Sequence, residues 1–233
     1  MRPGVAAGGA AVAAWMAYAW GAHLRTLAAT WRGPAAGSRV ALTFDDGPDP
    51  RWTPRIAESL AASGVRGTFF VVGRRADAHP DAVRAIAAAG HEVASHGWSH
   101  RSLWLCGPRR TADEVLRTQA RLAELTGAAP RFFRPPWGMV NAALFGVLRR
   151  ARLSCVFWSI QPEGLRPRPA DAQVAHVLAR AHPGAIVDLH DADGVAGAPA
   201  RLAAALPAMI DGLRARGFTF ATVTDLLAPP RPA

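Results

Sequence analysis

Apolar and polar positions along this chain fall into two alternating kinds of block. Short β-rich apolar runs occupy Val40–Phe44, Thr68–Val72, Glu92–Ser95, Arg131–Arg134, Leu153–Trp158, Ala185–Leu189 and Phe218–Val223. Helical stretches fill the gaps at Pro54–Ser63, Pro80–Ala89, Thr111–Leu125, Asn141–Arg150, Ala170–Ala181 and Pro199–Arg216. Strand and helix in regular alternation predict an α/β fold with a parallel sheet and crossover helices, open or closed into a barrel. Gly64, Gly90, Gly127 and Gly217 fall where helix C-caps are expected. Thr111 with Glu114 reads as a capping box ahead of the apolar positions Val115, Leu116 and Leu122.

The N-terminus stands outside this alternation. Residues 4–22 are uncharged and built from Gly, Ala, Val, Met, Tyr and Trp, with Arg2 before them and His23 and Arg25 after. That length suits one membrane span, although alanine makes it only weakly apolar. Ala17-Tyr18-Ala19 also offers a cleavage site of the secretory type. Either reading predicts export, and a buried or amphipathic N-terminal helix is the plainer alternative. The expected organisation is a signal-like or membrane-anchor segment over 1–25, a linker over 26–38, one barrel-like domain over 39–228, and a disordered tail over 229–233.

Composition narrows the partners. The chain has 233 residues, half of them apolar, which suits one domain with a sizeable core. Its net charge of +10 comes from arginine alone, since no lysine occurs. Such a balance favours anionic surfaces. The arginines are nevertheless scattered, paired only at Arg74-Arg75, Arg109-Arg110 and Arg149-Arg150, so nucleic-acid binding is not expected. Two cysteines, Cys106 and Cys155, permit a disulfide in an oxidising compartment without arguing for one.

A barrel demands that chemistry gather at the C-terminal ends of the strands, and the unusual residues obey. Asp45 and Asp46 follow the first run, His96 and His100 the third, Arg134-Pro135-Pro136-Trp137 the fourth, and Trp158 ends the fifth. His190-Asp191 closes the sixth. Two adjacent acids repel unless one protonates or both find a cation. His96 and His100, four residues apart, share one side if a helical turn separates them. With one carboxylate of the Asp pair they form a His2Asp donor set of the kind that leaves a position open for water, and zinc is the divalent ion expected. Arg134 can orient a neighbouring carboxylate, its two prolines stiffening the loop so that Trp137 serves as a groove wall. His190 shares a strand face with Asp188 and is a candidate general acid.

Thr43-Phe44-Asp45-Asp46-Gly47-Pro48, His96-x-x-x-His100, Arg134-Pro135-Pro136-Trp137 and Leu189-His190-Asp191, in this order, resemble the motifs of the NodB-homology polysaccharide deacetylases, carbohydrate esterase family 4. The resemblance covers roughly Arg39 to Leu227. It implies a distorted (β/α)7 barrel and divalent-metal hydrolysis of an N-acetyl group on a glycan. It also implies Asp46, His96 and His100 as metal ligands, Asp45 as general base paired with Arg134, and His190 as general acid. Pro136 and Trp137 are the expected substrate-binding residues, with a backbone N–H near Trp137 at the oxyanion. The expected setting is extracytoplasmic, in the cell envelope, with membrane association through residues 4–22 and a monomeric state.

The chain departs from the family's pattern at two places. Gln161 and Gly164 stand where its fourth motif usually places acids, so Glu163 or Asp188 is expected to supply the charge that tunes the acid histidine. Gly97 follows the first histidine where a Ser or Thr is usual, which removes one loop hydrogen bond. Two other functions stay open: a small-molecule amidohydrolase on the same motifs, and a glycan-binding protein without catalysis.

Overall fold

The computed structural model describes residues 3–35 and 37–229. Its elements are α1 (Pro3–Trp20), a 3-10 helix (Gly21–Ala28), β1 (Arg39–Asp45), α2 (Trp52–Ala62), β2 (Thr68–Val71), α3 (Gly73–Ala78), α4 (Pro80–Ala88) and β3 (Glu92–Ser95). There follow α5 (Pro108–Thr126), β4 (Phe132–Phe133), α6 (Leu144–Ala151), β5 (Ser154–Cys155) and α7 (Ala170–Arg180). The chain then forms β6 (Ile186–His190), α8 (Ala198–Ala215), β7 (Thr219–Phe220) and α9 (Val223–Leu227).

The strands form one seven-stranded sheet in the order β5-β4-β3-β2-β1-β6, with β7 pairing the start of β1. Neighbours run parallel throughout, as the alternation predicts. The sheet curls, and the segment after β5 reaches β6 through the bridge Ile160–Val187. The later ladders are short. Beyond Phe133 the backbone makes one more bond, Arg134 N–H to Ser95 O at 2.9 Å, and then Pro135 and Pro136 offer no donor.

Side-chain alternation sorts the sheet into an outer and an inner face. Val40, Leu42 and Phe44 of β1 pack outward with Val187, Leu189 and the helix residues Ile56, Leu60, Leu206 and Met209. Ala41 turns inward with Phe70, Ala94, Phe132, Val156 and Ile186. The same inward series on β1 and β6 reaches Asp45 and His190, which are register partners. So the period of the strands delivers polar groups to the rim.

Several expectations need correction. The helix carrying Thr111 starts at Pro108, so Thr111 lies inside it and donates to Gly107 O at 3.0 Å. There is therefore no capping box, because proline at the first helical position begins the helix earlier. The short helix α3 has no counterpart in the sequence pattern, since its run Gly-Arg-Arg-Ala-Asp-Ala lacks apolar periodicity. Residues 30–34, expected as linker, dock on the sheet: Thr30 N–H bonds Cys155 O, Phe157 N–H bonds Thr30 O, and Trp31 stacks on Phe157 at 4.2 Å. Among the described residues no helix is long and apolar enough to cross a membrane. Met1, Arg2 and residues 230–233 of the tail expected over 229–233 lie outside the described residues. Cys106 and Cys155 are both free and buried, and burial pushes the Cys155 thiol up to about 12.

The docked segment generates a test. Gly184 sits at φ +79, and a Cβ there would strike the backbone of Gly33 and Pro34. Gly184→Ala is expected to lower stability by about 2–4 kcal/mol from overpacking and left-handed strain, read from the urea midpoint. An unchanged midpoint would show that residues 33–34 do not pack there.

Candidate active site

The site grows from the end of β1. Asp45 stays on the inward face, where its Oδ1 accepts a bond from Arg134 Nη1 at 2.7 Å. Asp46 adopts φ 75, a left-handed conformation that a short acid tolerates, and so leaves the strand direction. That turn separates the neighbouring carboxylates. Asp46 Oδ1 lies 2.7 Å from His100 Nε2 and 3.5 Å from His96 Nε2. Ligand atoms of Asp46, His96 and His100 all lie within 4.8 Å of one another.

The two histidines do not share a helical turn, contrary to the simplest reading of their spacing. His96 follows β3, and the segment to His100 is a loop with Gly97 at φ +77 and His100 at φ 57. Two left-handed residues fold it back, leaving the imidazole centroids 5.2 Å apart. His96 Nδ1 meets the Arg134 carbonyl at 2.8 Å, which makes Nδ1 the donor and leaves the Nε2 lone pair facing the carboxylates. A ligand histidine fixed by a backbone carbonyl is the usual support of a metal site. One carboxylate and two imidazoles on convergent lone pairs fit a divalent ion of the zinc type.

Arg134 is fully buried and occupies the sheet's interior. It lies over the Phe70 ring at 4.0 Å and bonds Thr43 Oγ1 at 2.8 Å, Phe157 O at 3.0 Å, Asp45 and Asp188 Oδ1. Asp188 also accepts from Gln161 Nε2 at 2.9 Å. Burial, reinforced by the Asp45 charge, raises Asp188 to about 7, while His190 and Arg134 oppose the shift. His190 ends β6 opposite Asp45. Burial pulls its pKa down, but Asp188, Asp46 and Asp45 together outweigh that and hold it above the ordinary imidazole value. Asp46 is held well below the usual carboxylate range, its bonds to His100 and His96 overcoming the opposing effect of burial.

Of the two residues expected to replace the fourth-motif acid, only Asp188 joins this network. Glu163 turns to Arg201 Nε at 2.7 Å and the Arg168 backbone N–H at 2.8 Å. Trp137 has φ 61 and remains half-exposed, its ring 5.2 Å from His100, as a groove wall would be. Pro136 is not part of the wall. It is buried beside Gly97, and Pro135 takes the place on the cleft. The cleft measures about 410 Å³ and brings together Asp45, Asp46, His96, His100 and His190. Met139, Leu165 and Val195 line it too, and no local signal in the sequence singles them out. Gly194 lines it as well, where a Cβ would collide with the Asp46 carboxylate.

Residues 32–156 match the sequence profile of the polysaccharide deacetylase family. This chain belongs to the polysaccharide deacetylase family. A peptidoglycan-N-acetylglucosamine deacetylase of Bacillus cereus is 31% identical to it over 212 residues, 91% of this chain and 75% of the relative. A chitooligosaccharide deacetylase of Bradyrhizobium is 40% identical over 161 residues, 68% of this chain and 74% of the relative. Among solved structures, a peptidoglycan N-acetylglucosamine deacetylase superposes with a TM-score of 0.81 at 31% identity, covering 86% of this chain and 92% of that one. This family member therefore shares its curled parallel sheet and helices with a crystallised deacetylase.

Removing the Arg134 guanidinium should strip Asp45 and Asp188 of the buried cation to which both are bonded. In the metal-free protein, Arg134→Met is expected to cost about 3–5 kcal/mol near neutral pH. Arg134 lowers the Asp188 pKa, so its loss lifts that value further above the unfolded one. The stability that protonated Asp188 contributes is present at low pH; in the wild type it is lost by about pH 7, whereas in the variant the loss continues above that. Urea unfolding at about pH 5 and about pH 8 should show the larger deficit at the higher pH, and equal deficits would contradict the arrangement.

Proposed function

We infer that this enzyme hydrolyses N-acetyl groups on an amino-sugar glycan of the cell envelope, of the peptidoglycan or chitin kind. The observation that supports the reading most is the convergence of Asp46, His96 and His100 beside the Arg134-held Asp45 and His190. The curated relatives are named for deacetylation of such glycans.

Asp46 Oδ1, His96 Nε2 and His100 Nε2 would hold the ion, which we take to be zinc. The chemistry a divalent ion supplies there is Lewis acidity toward the amide carbonyl and the attacking water. The chain's own groups do the rest. Asp45 has Oδ1 committed to Arg134, while Oδ2 lies 3.8 Å from His96 Nε2, beside the donor set. From there Oδ2 takes the proton of the attacking water. The Trp137 backbone N–H, on the stiff turn after Pro135 and Pro136, steadies the oxyanion. His190, held protonated by its acidic neighbours, delivers a proton to the departing amine. Asp188 stands in for the fourth-motif acid as the partner of His190. The half-exposed Trp137 and the partly buried Trp158 give sugar faces a surface to stack on. Residues 4–22, with the look of a signal-like or anchoring segment, suit a substrate outside the cytoplasmic membrane.

Acetate release from N-acetylglucosamine oligomers tests this reading. Release should require zinc, and Asp45→Asn and His190→Ala should each lower kcat by about 10²–10⁴-fold with KM little changed. Zinc-independent release, or full activity in either variant, would contradict the assignment. Tight glycan binding without release would favour the non-catalytic reading, and neither binding nor release would favour a small-molecule amide.

A further inference from the structure

His100 needs support that its own loop does not supply. Its φ of 57 is uncommon for a side chain of that size, and such a conformation costs on the order of 1–3 kcal/mol unless its surroundings impose it. Gly97 has no hydroxyl to tie the loop from within, and its φ of 77 adds a second reversal. Something outside the loop must fix the direction in which His100 points.

Two helices, α3 and α5, grip the loop. The first amides of α3 donate to it: Gly73 N–H to Gly97 O and Arg74 N–H to Trp98 O, both at 2.9 Å. The Trp98 indole occupies the space that a Cβ on Gly73 would take and lies 3.6 Å from the Arg117 guanidinium. Glu114 reaches in from α5. Its Oε2 accepts the backbone N–H groups of Trp98 at 2.8 Å and Ser99 at 2.7 Å, and its Oε1 accepts the Ser99 hydroxyl at 2.6 Å. The residue is buried at 1% exposure, with Arg110 Nη2 3.1 Å from Oε1. Bonds to an ionised acceptor are roughly twice as strong as neutral ones, so this carboxylate dominates the loop's local energetics.

The bonds fall immediately before His100. They fix the Trp98 and Ser99 amides and so leave the His100 backbone little freedom to leave its left-handed well. That conformation is what brings Nε2 to 2.7 Å from Asp46 Oδ1. Ser99 with Glu114 thus offsets the hydroxyl missing at Gly97, where the place of a Cβ lies 3.5 Å from Glu114 Oε2.

We propose that Glu114 is a positioning residue that sets the aim of His100 and, through it, the affinity of the Asp46–His96–His100 site for a divalent ion. The proposal rests on the metal reading given above. Zinc affinity of the metal-stripped enzyme, measured by competition with a chromophoric chelator, tests it without reference to turnover. Glu114→Ala should weaken zinc binding by about ten- to a hundredfold, and Glu114→Gln, which keeps one acceptor, by less. Leu122→Ala, a buried cavity variant on the same helix away from the loop, should lower the melting temperature yet keep zinc affinity within about twofold. Unchanged affinity in Glu114→Ala overturns the proposal, as does an equal loss in Leu122→Ala. Should Glu114→Ala not fold, unchanged affinity in Glu114→Gln overturns it alone. A wild-type enzyme that binds no zinc refutes the metal reading itself, an outcome separate from tight wild-type binding that the variants leave unaltered.

Discussion

One buried guanidinium holds the rest of this structure in register. Arg134 sits inside the curled sheet with no solvent exposure, shared between Asp45 from β1 and Asp188 from β6. Burying a cation costs several kcal/mol, and the cost is offset only when its hydrogen bonds are nearly all made. Here they are: two carboxylates, the Thr43 hydroxyl and the Phe157 carbonyl accept from it, and it lies over the Phe70 and Trp158 rings at 4.0 and 5.5 Å. Its own carbonyl meets His96 Nδ1. A single residue thereby fixes the orientation of Asp45, the environment of the carboxylate near His190, and the tautomer of His96.

Around that anchor the rim stores backbone strain. Among the described residues the non-glycine positions with positive φ are Asp46, His100, Trp137 and Arg152. The first three line the cleft, whereas Arg152 ends a helix. Such conformations persist where the surroundings over-determine them. Each here has a visible cause. Asp46 follows an Asp that Arg134 will not release, His100 follows a loop gripped by α3 and Glu114, and Trp137 follows two prolines. Strand alternation delivers the polar groups to the rim, and these reversals turn them toward one point.

What the sequence made legible follows from how local the signals are. The run Val-Ala-Leu-Thr-Phe ending in Asp-Asp-Gly-Pro announces a strand that stops in acids, and β1 does so. The motifs at the other strand ends likewise lie where the alternation puts them, because each depends on one strand and one turn. Spacing alone misled at His96 and His100, where Gly97 permits a left-handed loop in place of a helical turn. It misled again at Thr111 and Glu114, because Pro108 starts α5 earlier and frees Glu114 to face the histidine loop. The choice between Glu163 and Asp188 was beyond reach for a different reason. It depends on which side chains the curled sheet turns toward Arg134 across its interior, where Asp188 bonds the guanidinium and Glu163 bonds Arg201 instead.

Asp46, His96 and His100 would close on one divalent ion while Asp45 stays with Arg134. Anomalous scattering at the zinc edge, from crystals grown with zinc, tests it most directly. The account predicts one strong peak about 2.0–2.2 Å from Asp46 Oδ1, His96 Nε2 and His100 Nε2, with Asp45 still bonded to the guanidinium. A peak lying elsewhere, or none between these three atoms, would contradict it.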